Sequence, residues 1–226
     1  PLVIHRGTRE ALAAGRVYLR YTLAGGAVLL FAVAWSHALA GPHDFVAGGY
    51  LRELGTDQRL PLTLLFGALI AGFGVKAALF PLHGWLPAAM VAPAPVSALL
   101  HAVAVVKAGA FAIIRVVYDV FGVEFAEALG VLGPLAVLSA FTILYGSLRA
   151  LAQDELKKRL AYSTVSQVSY IVLGVAVLGP LSTIGALVHL VNQGLMKITL
   201  FLSAGNLAET LGVHHVHEMN GVGRRM

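Results

Sequence analysis

The sequence predicts an all-α fold, a polytopic transmembrane bundle with one proline-broken helix, and three observations carry that reading. The 226 residues are 58% apolar and only 12% charged, with a mean hydropathy of +0.81, whereas a soluble domain is about 45–50% apolar and roughly 25% charged. The apolar residues gather into stretches, most of them near the roughly 20 residues that a helix needs to cross the hydrocarbon. The alternating segments of a membrane barrel are absent, and in lipid only helices or closed barrels satisfy every backbone group.

Taken in order, the chain opens with TREALAAGRVYLR, helical in pattern but unlike a cleaved leader. Apolar spans follow at 21–40, 61–79, 96–114, 129–148, 161–179 and 183–205. The longest polar connection, GPHDFVAGGYLRELGTDQRL, separates the first two. No linker, low-complexity tract or visible repeat divides the chain, so residues 1–226 read as a single membrane domain. The sequence begins at Pro1 and stops at GVGRRM, and both ends are expected to be cuts in a longer polypeptide.

Net charge is +5 and the isoelectric point near 9.7, yet the positions of the charges speak against nucleic acid. Ten basic residues fall on one side of the alternating spans: Arg6, Arg9, Arg16, Arg20, Arg149, Lys157, Lys158, Arg159, Arg224 and Arg225. Three, Arg52, Arg59 and Arg115, fall on the other. The positive-inside rule then places both ends in the cytoplasm of a multi-pass protein of the cell (inner or plasma) membrane. DELKKRL, residues 154–160, is the solvated turn that fixes this orientation.

FPLHGWLPAAMVAPAPV, residues 80–96, cannot be a regular helix, because Pro81, Pro87, Pro93 and Pro95 each remove a backbone donor and disfavour helix at the residue before. At membrane depth such a stretch survives only inside protein or along a water-filled cavity, as in the broken helices of transporters. A surface loop is the alternative.

Three lysines, Lys76, Lys107 and Lys197, fall inside apolar spans with no carboxylate nearby in sequence. Each costs roughly 2.5–3.5 kcal/mol to insert at a helix centre, so they are expected to face inward. Burial favours the neutral amine over the ammonium and makes proton exchange available at working pH. Snorkelling to the interface is the bland alternative, strongest for Lys76 near the end of its run. His101 precedes Lys107 by six residues, about 9 Å along one helix. His189, Gln193 and Lys197 recur every fourth residue on one face. Histidine titrates near neutrality, so the set of Lys76, His101, Lys107, His189, Gln193 and Lys197 suits a proton relay, with Gln193 or a trapped water bridging His189 to Lys197. All eleven acidic residues lie outside the six spans, so no carboxylate cage for a dehydrated cation is visible.

Other chemistry finds little support. The chain has no cysteine. The cluster His214, His215, His217 and Glu218 could hold a divalent metal, but its spacing matches no helical HExxH pattern, and no metal is expected. The glycines of GFG at 72–74 lack a nucleotide-binding context and read as packing positions. No site for a flavin, cluster, nucleotide or other cofactor is visible.

Three blocks carry a resemblance. VKAALFPLHGWLPAAMVAPAPVSALLHAVAVVKAG, LAQDELKKRLAYSTVSQVSYIVLG and HLVNQGLMKITLFLSAG resemble the antiporter-like membrane subunits shared by respiratory complex I and the multisubunit Mrp sodium/proton antiporters. The ending HEMNGVGRRM is closer to the D-type Mrp subunits. The resemblance implies that the chain holds about the sixth to eleventh of some fourteen helices. Lys76 would match the lysine of the broken seventh helix, His101 and Lys107 those of the eighth, and His189 and Lys197 those of the eleventh. Many relatives carry a second histidine where Gln193 stands, and glutamine cannot carry a proton. The fifth-helix glutamate that pairs with the seventh-helix lysine would precede Pro1, and the charged residue of the twelfth helix would follow Met226.

The leading expectation is therefore translocation of protons, or of a monovalent cation coupled to protons, by a core subunit working with other membrane subunits of an antiporter or respiratory complex. A second is the proton-pumping membrane subunit of a redox complex, in which catalysis belongs to partners and no catalytic residue lies in this chain. A third is a membrane scaffold that no longer transports, which Gln193 favours and the lysines oppose.

Overall fold

The computed structural model describes every residue except Pro1, Leu2, Arg6, Ala47, Val103, Arg225 and Met226, so Arg6 and Arg225 of the basic tally lie outside the described residues. Helix α1, Arg9–Ala40, starts where the Thr8 hydroxyl accepts from the Ala11 N–H at 3.1 Å, and it ends at Gly41, φ 74°, whose N–H returns to the His37 carbonyl. It therefore begins well before the span expected at 21–40. A capping threonine and the good helix formers that follow it extend the helix beyond its apolar run. Its buried stripe is mostly small residues, including Ala14, Gly25 and Ala32, while Leu23, Leu30 and Phe31 point outward. That is the pattern of a helix that approaches its neighbour closely and turns its large side chains to lipid.

Helix α2, Arg59–Ala77, packs beside α1 and ends at Ala78, which takes the left-handed conformation (φ 56°, ψ 40°). The Leu79 N–H then bonds the Gly74 carbonyl at 2.9 Å, closing the last turn. The helix thus breaks immediately after Lys76. Residues 78–93 are irregular, holding only the short α3, Trp85–Ala88, and one 3-10 turn, Ala89–Val91. Pro81 and Pro95 are exposed and Pro93 half-buried, but Trp85, Leu86, Pro87 and Met90 are buried. The Trp85 indole N–H donates to the Val75 carbonyl at 2.7 Å, and its ring meets Tyr18 of α1 edge-on. The middle of the proline-rich stretch is thus packed inside protein, while Pro81 and Pro95 remain at the surface.

One regular helix over 96–114 does not form. Helix α4, Ala94–Ala102, and α5, Val105–Arg115, are separated by a break at which the Ala104 N–H reaches back five residues to Leu99 at 3.0 Å. A π turn, Val116–Phe121, then continues α5. The break is tolerated because α9 covers it at a glycine: a Cβ on Gly194 would lie 3.0 Å from the Ala102 carbonyl oxygen. His101 and Lys107 are consequently not placed on one continuous helix, as their spacing suggested, and Val103 between them lies outside the described residues.

Helix α6, Val123–Ala128, leads to α7, Leu132–Leu151, then α8, Leu156–Ala176, and the 32-residue α9, Pro180–Leu211. Among the described residues, five stretches are long and apolar enough to cross a membrane: Arg9–Ala40, Thr56–Ala77, Ala94–Phe121, Leu132–Leu151 and Pro180–Leu211. The sixth expected span, 161–179, falls on α8, which does not qualify. Tyr162, Ser163, Thr164, Ser166, Gln167, Ser169 and Tyr170 make it too polar. Its position explains this, since α8 packs against α3, α5, α7 and α9 and turns most of its surface to protein. A helix so enclosed needs no lipid-compatible face. Because the helices outrun the apolar spans, some acidic residues ride on them after all. Glu10 lies in the first turn of α1, Asp119 on the π turn, ion-paired with Arg115, and Glu209 near the end of α9.

Candidate functional site

The polar interior is assembled where α4, α5 and α8 meet α9. Helix α9 runs back along α4 and α5, so residue numbers fall along one as they rise along the other, and the histidines and lysines of different helices face a common interior. On α8, Ser163 and Gln167 are one turn apart. The Lys197 ammonium donates to the Ser163 hydroxyl at 2.7 Å, with Lys197 only 2% exposed. One pitch further along, the His189 Nε2 lies 3.2 Å from the main-chain carbonyl of Gln167. A carbonyl can only accept, so Nε2 carries the proton and Nδ1 is left free to exchange another.

His101 comes from α4 and is fully buried against the Phe201 ring, 4.6 Å between centroids, within electrostatic range of Lys197. Neither of its ring nitrogens has a hydrogen-bond partner. Gln193 is equally buried, and both atoms of its carboxamide lack partners. Half-buried Lys107 reaches α9 at Gly194, where a Cβ would stand 2.8 Å from the ammonium nitrogen, and it lies within electrostatic range of His189. The absence of a side chain at Gly194 makes the cradle into which this ammonium fits.

Lys76 is placed differently. It is exposed in the described chain, not turned inward as expected. Helix α5 crosses behind it at Gly109, where an added Cβ would collide with the backbone of Lys76 and Ala77. Five of the six expected relay residues therefore fall into three groups: Lys76 on an outer face, Lys107 beside Gly194 and within electrostatic range of His189, and Lys197 with Ser163 and within electrostatic range of His101. The sixth, Gln193, lies between the last two along α9.

Sequence reasoning missed Ser163 and Gln167, although two polar residues one turn apart in a polar membrane helix were a usable signal. It also missed His83 in the broken segment. That ring is buried among Phe80, Tyr145 and Tyr162, with Nδ1 unpartnered. The histidine cluster near the chain end lies elsewhere, at the turn before α8. His217 Nδ1 donates to the Asp154 carboxylate at 2.6 Å, and His215 Nδ1 stands 3.3 Å from the same oxygen. Desolvation pushes the Asp154 carboxyl up, but hydrogen bonds from the His217 ring and backbone more than offset it and hold it below the usual range.

A family model described as NADH:quinone oxidoreductase/Mrp antiporter, TM matches residues 1–225. NADH-quinone oxidoreductase subunit N of Desulforudis audaxviator (strain MP104C) is 38% identical over 97% of the chain. Hydrogenase-4 component B of Escherichia coli (strain K12) is 36% identical over all of it. The chain spans only 44% and 34% of those two proteins. Among solved structures, the Mrp complex from Dietzia sp. DQ12-45-1b contains a chain that is 25% identical, superposing with a TM-score of 0.80 over 92% of this chain and 38% of that one. The membrane-bound sulfane sulfur reductase, an archaeal respiratory membrane complex, contains one 28% identical, with a TM-score of 0.81 over 96% of this chain and 44% of that one.

Proposed function

The chain belongs to the NADH:quinone oxidoreductase/Mrp antiporter transmembrane family, and on that premise we propose that it forms the proton-carrying core of a longer, antiporter-like membrane subunit. The observation that carries this reading is that lysine and histidine from different helices come within electrostatic range of one another in the bundle, Lys107 of His189 and Lys197 of His101, with Lys197 held by the Ser163 hydroxyl. An imidazole within electrostatic range of an amine gives a proton a second site of exchange, reached through water, in a medium where either charge alone is expensive. Buried polar atoms without protein partners are ordinarily satisfied by ordered water, so Gln193 and His101 mark where water would bridge the two pairs. Transfer then runs across the bundle, from Lys76 on α2 past Gly109 to Lys107 on α5, and on to His189, Gln193 and Lys197 on α9. Glutamine contributes by orienting water and does not itself take the proton.

Protons suit this interior better than a dehydrated Na⁺. Among the described residues the buried polar side chains are hydroxyl, imidazole, carboxamide and amine, with no carboxylate. The bilayer is the cell membrane, the ends of this segment face the cytoplasm, and the partners are other membrane subunits of one assembly. A second reading, a subunit of a redox pump, is favoured by the chain's similarity to the oxidoreductase and hydrogenase subunits. It is distinguished by whether soluble redox subunits co-purify.

The test is proton flux in vesicles containing the native assembly. Lys107→Ala and Lys197→Ala are each expected to lower flux by on the order of 10²-fold, the scale on which a positioned proton-transfer group acts. Undiminished flux in both variants overturns the relay and leaves the scaffold reading.

A further inference from the structure

Asp154 and the pair His215 and His217 are some sixty residues apart in sequence, yet the fold closes them into one cluster whose ligand atoms all lie within 4.8 Å of one another. The sequence reading set the histidines aside because they offer no helical metal motif; what it lacked was the carboxylate supplied by the turn between α7 and α8. We propose that Asp154, His215 and His217 form a binding site for a divalent transition-metal ion of the zinc type, which staples the start of α8 to the segment following α9.

The donor set is one carboxylate oxygen and two imidazole nitrogens, which suits borderline ions such as Zn²⁺ and not Mg²⁺ or Ca²⁺. Bonds of about 2.0–2.1 Å in a tetrahedron place neighbouring ligand atoms about 3.3 Å apart. The separation of His215 Nδ1 from Asp154 Oδ2 is 3.3 Å, and His215 Nδ1 is shielded from solvent with no hydrogen-bond partner. The separation of His217 Nδ1 from the same oxygen is 2.6 Å, the length of a hydrogen bond, so the metal must replace that proton and open the contact by about 0.7 Å. With its side chain 68% exposed, His217 has the freedom to do so. Three protein ligands leave the fourth position to water.

The cluster is held by backbone as well as side chains. The Val216 N–H donates to the Asp154 carbonyl at 2.8 Å, and the Leu156 N–H donates to the His214 carbonyl at 3.0 Å. The Glu218 carboxylate accepts from the His214 and His215 N–H groups at 2.7 and 2.9 Å, so it braces the turn and is not counted as a ligand. These bonds position the ligands before any ion arrives, which lowers the ordering cost of binding. Because α8 begins at Leu156 and α9 ends at Leu211, an ion here fixes the ends of the two helices that carry Ser163 and Lys197.

The experiment uses the native assembly, purified through a tag without histidine, stripped with chelator and titrated with Zn²⁺ alone. Equilibrium dialysis is expected to find one more zinc per chain in the wild type than in His217→Ala or in Asp154→Asn, the latter keeping an oxygen acceptor for the His217 N–H. Hydrogen exchange at the backbone amides of residues 214–217 is expected to slow about tenfold with Zn²⁺ in the wild type and not in either variant. Equal zinc stoichiometry and equal protection in wild type and both variants overturn the site and leave a hydrogen-bonded clamp. Neither readout depends on transport, so loss of this site and loss of the relay are separately visible.

Discussion

Lys76 and Lys197 each stand in an apolar run with no carboxylate nearby in sequence, and the fold treats them oppositely. Lys197 is 2% exposed, donates to Ser163, lies within electrostatic range of His101 and follows Gln193 by one turn of α9. Lys76 stands in the last turn of α2 on an outer face, with the negative end of that helix beneath it and Gly109 behind it. An ammonium at a helix C-terminus is stabilised by the macrodipole without a side-chain partner, whereas one inside a bundle requires an acceptor. The difference lies in the neighbours: α8 is polar and supplies the Ser163 hydroxyl to Lys197, and no described helix covers Lys76.

Four substitutions sharpen or break that contrast, beginning with the largest. Trp85→Ala removes the buried ring that packs on Tyr18 and the indole N–H that holds the Val75 carbonyl beneath Lys76. It is expected to cost about 3–5 kcal/mol, read from thermal unfolding in detergent. A cost near zero would mean that the α2 break is held by something other than this tryptophan. Ser163→Ala leaves the Lys197 ammonium without its acceptor and is expected to cost about 1.5–3 kcal/mol by the same measurement. An unchanged melting temperature would place Lys197 nearer to Lys76 in kind than the geometry does.

Gly194→Ala meets the end of a flexible side chain, Lys107 Nζ, and a carbonyl oxygen at 3.0 Å. It is expected to cost about 1 kcal/mol, at the low end of overpacking, and to lower proton flux several-fold by displacing the ammonium from α9. Flux at the wild-type level would show that the Lys107 cradle is packing only. Lys76→Ala is expected to change stability by less than about 0.5 kcal/mol, as surface substitutions do. A larger loss would mean that Lys76 is covered in the assembly by a helix outside this chain.

How much was legible follows the same line. The irregular stretch at 80–96 could be read because proline removes a donor wherever it stands, although α2 ends earlier, at left-handed Ala78, and the membrane class because apolar composition is a property of the chain alone. The polar character of α8 was visible residue by residue, in Ser163, Gln167 and Ser169, but the stretch was read as one more membrane span, 161–179, and not as the centre of the bundle. That His101 comes within electrostatic range of Lys197, and Lys107 of His189, could not be read. Helical spacing relates residues within one helix, and these approaches run between helices whose order and register are set by packing.

By itself the sequence determined that the chain is an all-α membrane bundle with a proline-broken segment, since insertion energies and backbone hydrogen bonding depend on local composition. Only the tertiary structure decided which lysines are buried, which residues satisfy them, and that Asp154 meets the distant histidines. Those outcomes depend on which surfaces of the helices touch, and glycines such as Gly109 and Gly194 permit that approach without specifying the partner.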